Sequence, residues 1–190
     1  MKQAVFLDRD GTINVEKDYL GNLTDLELIE GSARGIRMLN RSGMPVIVIS
    51  NQSGVARGFF SINFVEMVHR ELSRMLEKRG ARIDGWYFCP HHPEAGAPPY
   101  RRKCGCRKPG TALLERAAGD MGIDIGHSWF VGDSLSDLQT AWNAGMKGIL
   151  VLTGHGGKTF KALSENDRER IDHVATDLLD ACRWITGRQR

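Results

Sequence analysis

Six short apolar runs, each followed by a longer segment of helical period, constrain this chain more than any other feature. The runs are Ala4–Leu7, Val46–Ile49, Trp86–Phe88, Trp129–Val131, Ile149–Leu152 and, more weakly, His173–Ala175. A strand that is apolar at consecutive positions has no face to give to water and must be covered on both sides. Helix expectations fall between the runs. Gly31–Arg41 carries Ile36, Met38 and Leu39 and ends at Ser42-Gly43. Ser61 is placed to cap a helix that runs through Phe64, Val68, Leu72, Met75 and Leu76 to Gly80. Thr111–Gly122, Ser134–Gly145 and Thr176–Ile185 follow the same logic. This alternation predicts an α/β fold with three layers, doubly wound around a mostly parallel sheet. At 190 residues, with 41% hydrophobic and 26% charged residues, the expectation is one domain over 1–190. The short stretch from Val15 to Gly31 leaves no room for an inserted cap domain.

In sheets of this kind ligands bind beyond the carboxyl ends of the strands, and the polar residues of this chain fall there. "AVFL" runs into Asp8-Arg9-Asp10-Gly11-Thr12, "VIVI" into Ser50-Asn51-Gln52-Ser53-Gly54, and "WFV" into Gly132-Asp133, with Asp137 four residues on. Asp8, Asp10 and Asp133 would then converge, and carboxylates packed together repel one another unless a cation joins them. Oxygen-only ligands point to Mg²⁺, which keeps open positions for water and a phosphate. Lys108 supplies a point charge and Ser50 a hydroxyl for phosphoryl oxygens, the parts that phosphoryl transfer requires. Asp137 supports the metal site, orients Lys108, or is simply an acid in a helix's first turn. Arg9 has no role in this reading.

"CPHHPEAGAPPYRRKCGCRKP", residues 89–109, brings three thiols and an imidazole within a short loop. Cys89, His91, Cys104 and Cys106 match a closed, structural Zn²⁺ site, with His92 as an alternative ligand. Such a clip would order a loop (89–108) too rich in Gly and Pro to build a core, and would aim Arg101, Arg102, Lys103, Arg107 and Lys108 toward the strand ends. Cys182, on a helix of apolar period, reads as core.

These residues resemble the haloacid dehalogenase superfamily of phosphatases on four ordered motifs: "DRDGT" at 8–12, Ser50 after "VIVI", Lys108, and "GDSLSD" at 132–137. The resemblance spans almost the whole chain and implies a Rossmann-like, capless core. It implies that Asp8 is the nucleophile that forms an aspartyl-phosphate. Asp10 would protonate the leaving alkoxide and then deprotonate water. Ser50 and Lys108 would hold the phosphoryl oxygens, while Asp8, the Asp10 carbonyl and Asp133 would bind Mg²⁺. The zinc loop resembles that of two branches, the histidinol-phosphate phosphatases and the heptose bisphosphate phosphatases. "NQSGVARG" at 51–58, "CPHHP" and "CRKPGTALL" look like the heptose branch. Ser50 stands where many heptose enzymes have threonine, and the hydroxyl is kept. This resemblance implies substrate contacts from Glu16, Lys17, Asp18, Tyr19, Asn51, Gln52, Ser53, Arg57, Arg107 and Lys108. The implied reaction removes the 7-phosphate of a heptose 1,7-bisphosphate, in nucleotide-heptose synthesis for a bacterial glycoconjugate such as lipopolysaccharide.

Histidinol phosphate is the alternative substrate, and a polynucleotide 3′-phosphate a more distant one. The net charge of +3 is too small to favour a nucleic-acid partner. A zinc-stabilised binding module with a dead phosphatase core would lack Asp8 or Asp10, and both are present. The four apolar residues after Met1-Lys2-Gln3 are too few for a signal peptide, and no stretch is long enough to span a membrane. The expected setting is the cytoplasm, as a monomer, with a small phosphorylated sugar as the only partner.

Overall fold

Ala4 to Leu7 are fully buried, and successive side chains leave for opposite faces. Val5 and Leu7 join one apolar cluster with Val46, Val48, Trp129 and Val131, whereas Ala4 and Phe6 join a second with Ile47, Ile49 and Phe130. The runs therefore form the middle layer. In the computed structural model, which describes residues 2–188, they build one sheet. Its strands are β1 (Val5–Leu7), β2 (Val46–Asn51), β3 (Gly85–Cys89), β4 (Trp129–Gly132), β5 (Lys147–Val151) and β6 (His173–Ala175). The spatial order is β3-β2-β1-β4-β5-β6 and every pairing is parallel. Register places Leu7 beside both Val48 and Val131, and Ser50 beside Phe88.

The helices are α1 (Ser32–Arg41), α2 (Ile62–Glu77), α3 (Ala112–Met121), α4 (Leu135–Asn143), α5 (Gly156–Ala162), α6 (Glu165–Glu169) and α7 (Leu178–Gly187). Ile36 and Leu39 of α1 share the first cluster with Leu178, Cys182 and Ile185 of α7. Leu113, Leu114 and Ala117 of α3 share the second with Ala141 of α4. Fully burying each of the larger side chains is worth roughly 1.5–3 kcal/mol, so these two clusters dominate the fold's stability. Ser61 caps α2, its hydroxyl accepting from Phe64 N at 3.1 Å, which contributes about 1 kcal/mol.

Small differences from the sequence expectations have local causes. β5 starts at Lys147 and ends at Val151, leaving Leu152 outside the sheet and 39% exposed. α7 begins at Leu178, because the Asp177 carboxylate accepts from Asp180 N at 2.8 Å and caps the helix there. β3 lies at an edge, and its Trp86, Tyr87 and Phe88 are only half-buried. The periodicity missed α5 and α6; α6 buries nothing and α5 only Gly156, so neither carries an apolar stripe. Between β1 and α1 the chain makes a short 3-10 turn at Leu23–Asp25 and carries no inserted domain.

The chain goes from β1 to β2 on one side and returns to β4 on the other. The loops that leave β1 and β4 diverge at this switch point, and a crevice opens between them.

Candidate active site

Asp8 follows β1 directly, and its backbone N–H continues the ladder to Val131 O at 2.9 Å. Its carboxylate thus stands at the switch point, buried, at the floor of a cleft of about 350 Å³. Lys108 reaches it from the far end of the cysteine loop, with Nζ donating to Asp8 Oδ1 and to Asp137 Oδ1, both at 2.6 Å. Lys108 is itself held through its main chain. Its N–H donates to Asn51 Oδ1 at 3.0 Å, and its carbonyl accepts from Asn51 Nδ2 at 3.2 Å. Asp137 combines two roles left open above. Its Oδ2 accepts from Ser134 N at 3.0 Å and Ser134 Oγ at 2.6 Å, closing the capping box of α4, while Oδ1 fixes Lys108.

Oxygens of Asp8, Asp133 and Asp137 lie within 4.8 Å of one another. Burial raises Asp8 well above the usual carboxylate range; Lys108 pulls it back, and Asp137, Asp133 and Asp10 push it further up. Asp133 is pushed up to about 6, first by burial and then by Asp137, against the N–H of His155, which donates to Asp133 Oδ2 at 2.7 Å. Burial disfavours the Lys108 ammonium, but Asp137 and Asp8 outweigh it and hold its pKa above the ordinary lysine value. Three buried acids around one ammonium are short of positive charge. Gly11 and Gly154, both at positive φ (76° and 55°), press bare backbone against Asp133; a Cβ on either would lie 2.1 or 2.2 Å from its Oδ2. This donor set, hard, acidic and fixed, fits a divalent cation such as Mg²⁺.

Asp10 is held apart from that cluster. Arg9 grips it edge-on, Nε to Oδ1 at 3.1 Å and Nη2 to Oδ2 at 2.8 Å. Asn14 Nδ2 donates to Oδ1, and Gln52 Nε2 to Oδ2, each at 2.9 Å. Gln52 Nε2 also donates to Ser50 Oγ at 2.8 Å, tying the second strand end to the first. Burial would raise the Asp10 pKa, but Arg9, Asn14 and Gln52 hold it below its usual value. Arg9, without a role in the sequence reading, is the buried counter-charge of Asp10.

Of the expected contact residues, Glu16, Asp18, Tyr19, Asn51, Gln52, Ser53, Arg107 and Lys108 line the cleft. Lys17 and Arg57 do not, and both side chains are exposed. Asp18 sits at φ 56°, a conformation that aspartate tolerates better than most residues. Sequence reasoning missed Arg9, Asn14, Gly154 and His155. Arg9 lies within the motif at 8–12 and Asn14 two residues beyond it; the last two follow β5, whose polar end has no mark in the sequence reading.

The four cysteine-loop residues converge as well. Cys89 Sγ lies 3.2 Å from Cys106 Sγ and 3.6 Å from Cys104 Sγ, and His91 Nδ1 lies 3.3 Å from Cys106 Sγ. Ligand atoms around a tetrahedral zinc stand about 3.7 Å apart, so the cluster needs only a slight expansion to hold a metal. His92 faces away, its Nδ1 accepting from the backbone of Glu94 and Ala95.

A family profile described as HAD-hydrolase-like matches residues 105–181. The D-glycero-beta-D-manno-heptose-1,7-bisphosphate 7-phosphatase of Haemophilus ducreyi is 38% identical over 97% of this chain and 98% of its own. The corresponding enzyme of Thermosynechococcus vestitus is 42% identical, over 97% of this chain and 95% of its own. A D,D-heptose 1,7-bisphosphate phosphatase from B. bronchiseptica, solved with magnesium and phosphate, superposes with a TM-score of 0.84 at 32% identity, covering 98% of this chain and 99% of that one. With its parallel sheet, buried carboxylates and bridging lysine, this chain belongs to the heptose-1,7-bisphosphate 7-phosphatase family of HAD-like hydrolases.

Proposed function

We propose that the chain, as a single domain over 1–190, hydrolyses the 7-phosphate of D-glycero-D-manno-heptose 1,7-bisphosphate by way of an aspartyl-phosphate on Asp8. The observation that carries this reading is the pairing of two carboxylates in unlike environments, two residues apart. Asp8 is bridged by Lys108 beside two further acids, and Asp10 is gripped by Arg9, Asn14 and Gln52. Unlike environments assign unlike jobs.

In the first step an Asp8 oxygen attacks phosphorus as the bond to the sugar oxygen breaks, and Asp10 gives that oxygen its proton. In the second, Asp10 takes a proton from water, the resulting hydroxide attacks phosphorus, and Asp8 leaves with both bonding electrons. Lys108 and Ser50 hold the non-bridging oxygens in both steps. Asp8, Asp133 and the Asp10 carbonyl would hold Mg²⁺, which when bound would supply charge neutralisation for the nucleophile and the phosphoryl group. The grip of Arg9 favours the charged form of Asp10, which suits the second step. Cys89, His91, Cys104 and Cys106 would hold Zn²⁺, which would order the loop that delivers Arg107 and Lys108. Thiols kept as metal ligands suit the cytoplasm, and no helix among the described residues is long and apolar enough to cross a membrane.

The test is kcat/KM with Mg²⁺ for both anomers of the heptose bisphosphate, histidinol phosphate, fructose 1,6-bisphosphate and a 3′-phosphorylated oligonucleotide. The heptose bisphosphate is expected to lead. A clear preference for histidinol phosphate would overturn the reading.

A further inference from the structure

We propose that Glu16, Asp18 and His155 form a second metal site at the mouth of the cleft, for a borderline divalent cation such as Zn²⁺, which clasps the loop after β1 to the loop after β5. The site goes beyond the heptose bisphosphate reading and does not depend on it.

The three residues come from two separate loops. Glu16 and Asp18 follow β1, His155 follows β5, and one ligand atom from each lies within 4.8 Å of the others. His155 Nε2 stands 3.9 Å from Glu16 Oε2. An ion pair between an imidazolium and Glu16 would account for those two alone. Asp18 would be left over, a second carboxylate within the same 4.8 Å, and among the described residues it has no ion-pair partner. The buried cations of the adjoining cleft are already committed, Arg9 to Asp10 and Lys108 to Asp8 and Asp137. A divalent cation satisfies both carboxylates at once and takes the imidazole as a neutral ligand. That imidazole sets this group apart from the oxygen-only acids around Asp8, and it favours zinc-like ions over Mg²⁺.

The backbone that carries these ligands is already fastened. His155 N–H donates to Asp133 Oδ2 at 2.7 Å, and Thr153 Oγ1 donates to Gly11 O at 2.6 Å, which ties the loop after β5 to the turn after β1. Val15 N–H donates to Glu27 O at 2.9 Å and holds the residue before Glu16. The side chains remain reachable from solvent. They border a hollow of about 470 Å³ beside the cleft, together with Val15 and Ile29, and all three also line the cleft itself. Nitrogen and oxygen ligands of a four-coordinate zinc stand about 3.4 Å apart, so His155 and Glu16 need to close by only about 0.5 Å. Three protein ligands leave a fourth position for water, in contrast to the closed set of the cysteine loop.

The experiment counts zinc by elemental analysis after equilibrium dialysis against micromolar Zn²⁺, with Mg²⁺ in large excess to occupy the buried carboxylates. Wild type is expected to hold about two zinc ions per chain, one at the cysteines and one at the mouth. The ring-nitrogen resonances of His155 should shift as the second is taken up. His155→Gln keeps the backbone N–H that Asp133 uses, and Asp18→Asn suits the φ of 56°, because asparagine tolerates the left-handed region. Each variant is expected to keep the first zinc and to bind the second at least about tenfold more weakly. Uptake of only about one zinc by wild type, or a second zinc held as tightly in either variant, overturns the site. Metal content is read without any substrate, so failure of the heptose reading leaves this result standing.

Discussion

The carboxylates at the switch point and the thiols of the cysteine loop are both clusters of metal-ligating side chains, built in opposite ways. Asp8 and Asp133 come from two strand ends and Asp137 from the first turn of α4, and Lys108 joins them from the cysteine loop. Cys89, His91, Cys104 and Cys106 come from one short loop at the edge strand. The first cluster exists only once β1 and β4 are paired, so the sheet holds its geometry and tolerates its self-repulsion. The second can be drawn together by a metal with little help from a core. Hard oxygens beside an open cleft leave room for a substrate, whereas four soft ligands complete a tetrahedron and leave none. Chemistry thus sits where buried central strands end in an open cleft, and order is added at the half-buried edge strand.

The sharpest way to break this contrast is at Asp8. Asp8→Asn removes the proposed nucleophile and leaves a side chain of nearly the same shape. Turnover should fall by at least about 10³-fold, comparable to losses from other covalent nucleophiles, while metal content at the cysteines and the overall fold are kept. An active Asp8→Asn enzyme would refute the aspartyl-phosphate route. Asp10→Asn comes next, with an expected loss of about 10²–10⁴-fold, the usual range for a general acid–base residue. It should act on kcat more than on KM, since Asp10 is turned toward Arg9, Asn14 and Gln52 and away from the other acids. A loss confined to KM would make Asp10 a binding group.

Both regions could be read from the sequence, though to different depths. The ladder of apolar runs reveals the layers because strands buried on both faces cannot hide their composition. The strand-end rule then locates Asp8, Ser50 and Asp133 without knowledge of any distance. The cysteines declare themselves through their proximity in the chain. What the sequence could not reveal depends on side-chain direction. Arg9 is an unremarkable cation until the turn at Gly11 folds it back on its neighbour Asp10. Asn14 becomes a ligand of Asp10 only because that turn closes through Gly11 N to Asn14 O, at 2.8 Å. His155 touches Asp133 through a backbone N–H, a contact with no signature in residue type. Helices α5 and α6 were missed for a related reason: a helix that buries almost nothing leaves no apolar period to read.

The cysteine loop predicts a smaller effect of a different kind. Cys106→Ser should abolish tight zinc binding and lower thermal stability. Lys108 lies two residues on and supplies the charge that bridges Asp8 and Asp137, so its displacement by about 1 Å should cost on the order of 10²-fold in kcat/KM. Cys182, buried where α7 packs on α1, is the control. Cys182→Ala should keep its zinc, as measured by elemental analysis, and lose only stability. A Cys106→Ser enzyme with wild-type kcat/KM would show that the loop orders itself and that the metal is dispensable to the site.

The smallest expected effect probes the repulsion within the acidic cluster directly. Asp133 is pushed up to about 6 and Asp8 is raised as well, so the metal-free fold binds protons more tightly than the unfolded chain does. The stability that these two groups contribute is therefore full in acid and is lost as pH rises through about 6, where they are forced to charge. Mg²⁺ binds the charged forms and relieves the repulsion that grows along that same rise. At a concentration of 100 Kd it should add about 2.7 kcal/mol near neutrality. For a chain of 190 residues that corresponds to a rise of roughly 5–10 °C in Tm. As pH falls through about 6, protons compete for the same oxygens and the magnesium-dependent rise should shrink to less than half. Zinc at the thiols would be present with and without Mg²⁺ and would cancel from that difference. Differential scanning with and without Mg²⁺ on either side of that pH separates the two clusters. An equal Tm gain at both would mean that the carboxylates are not the magnesium site.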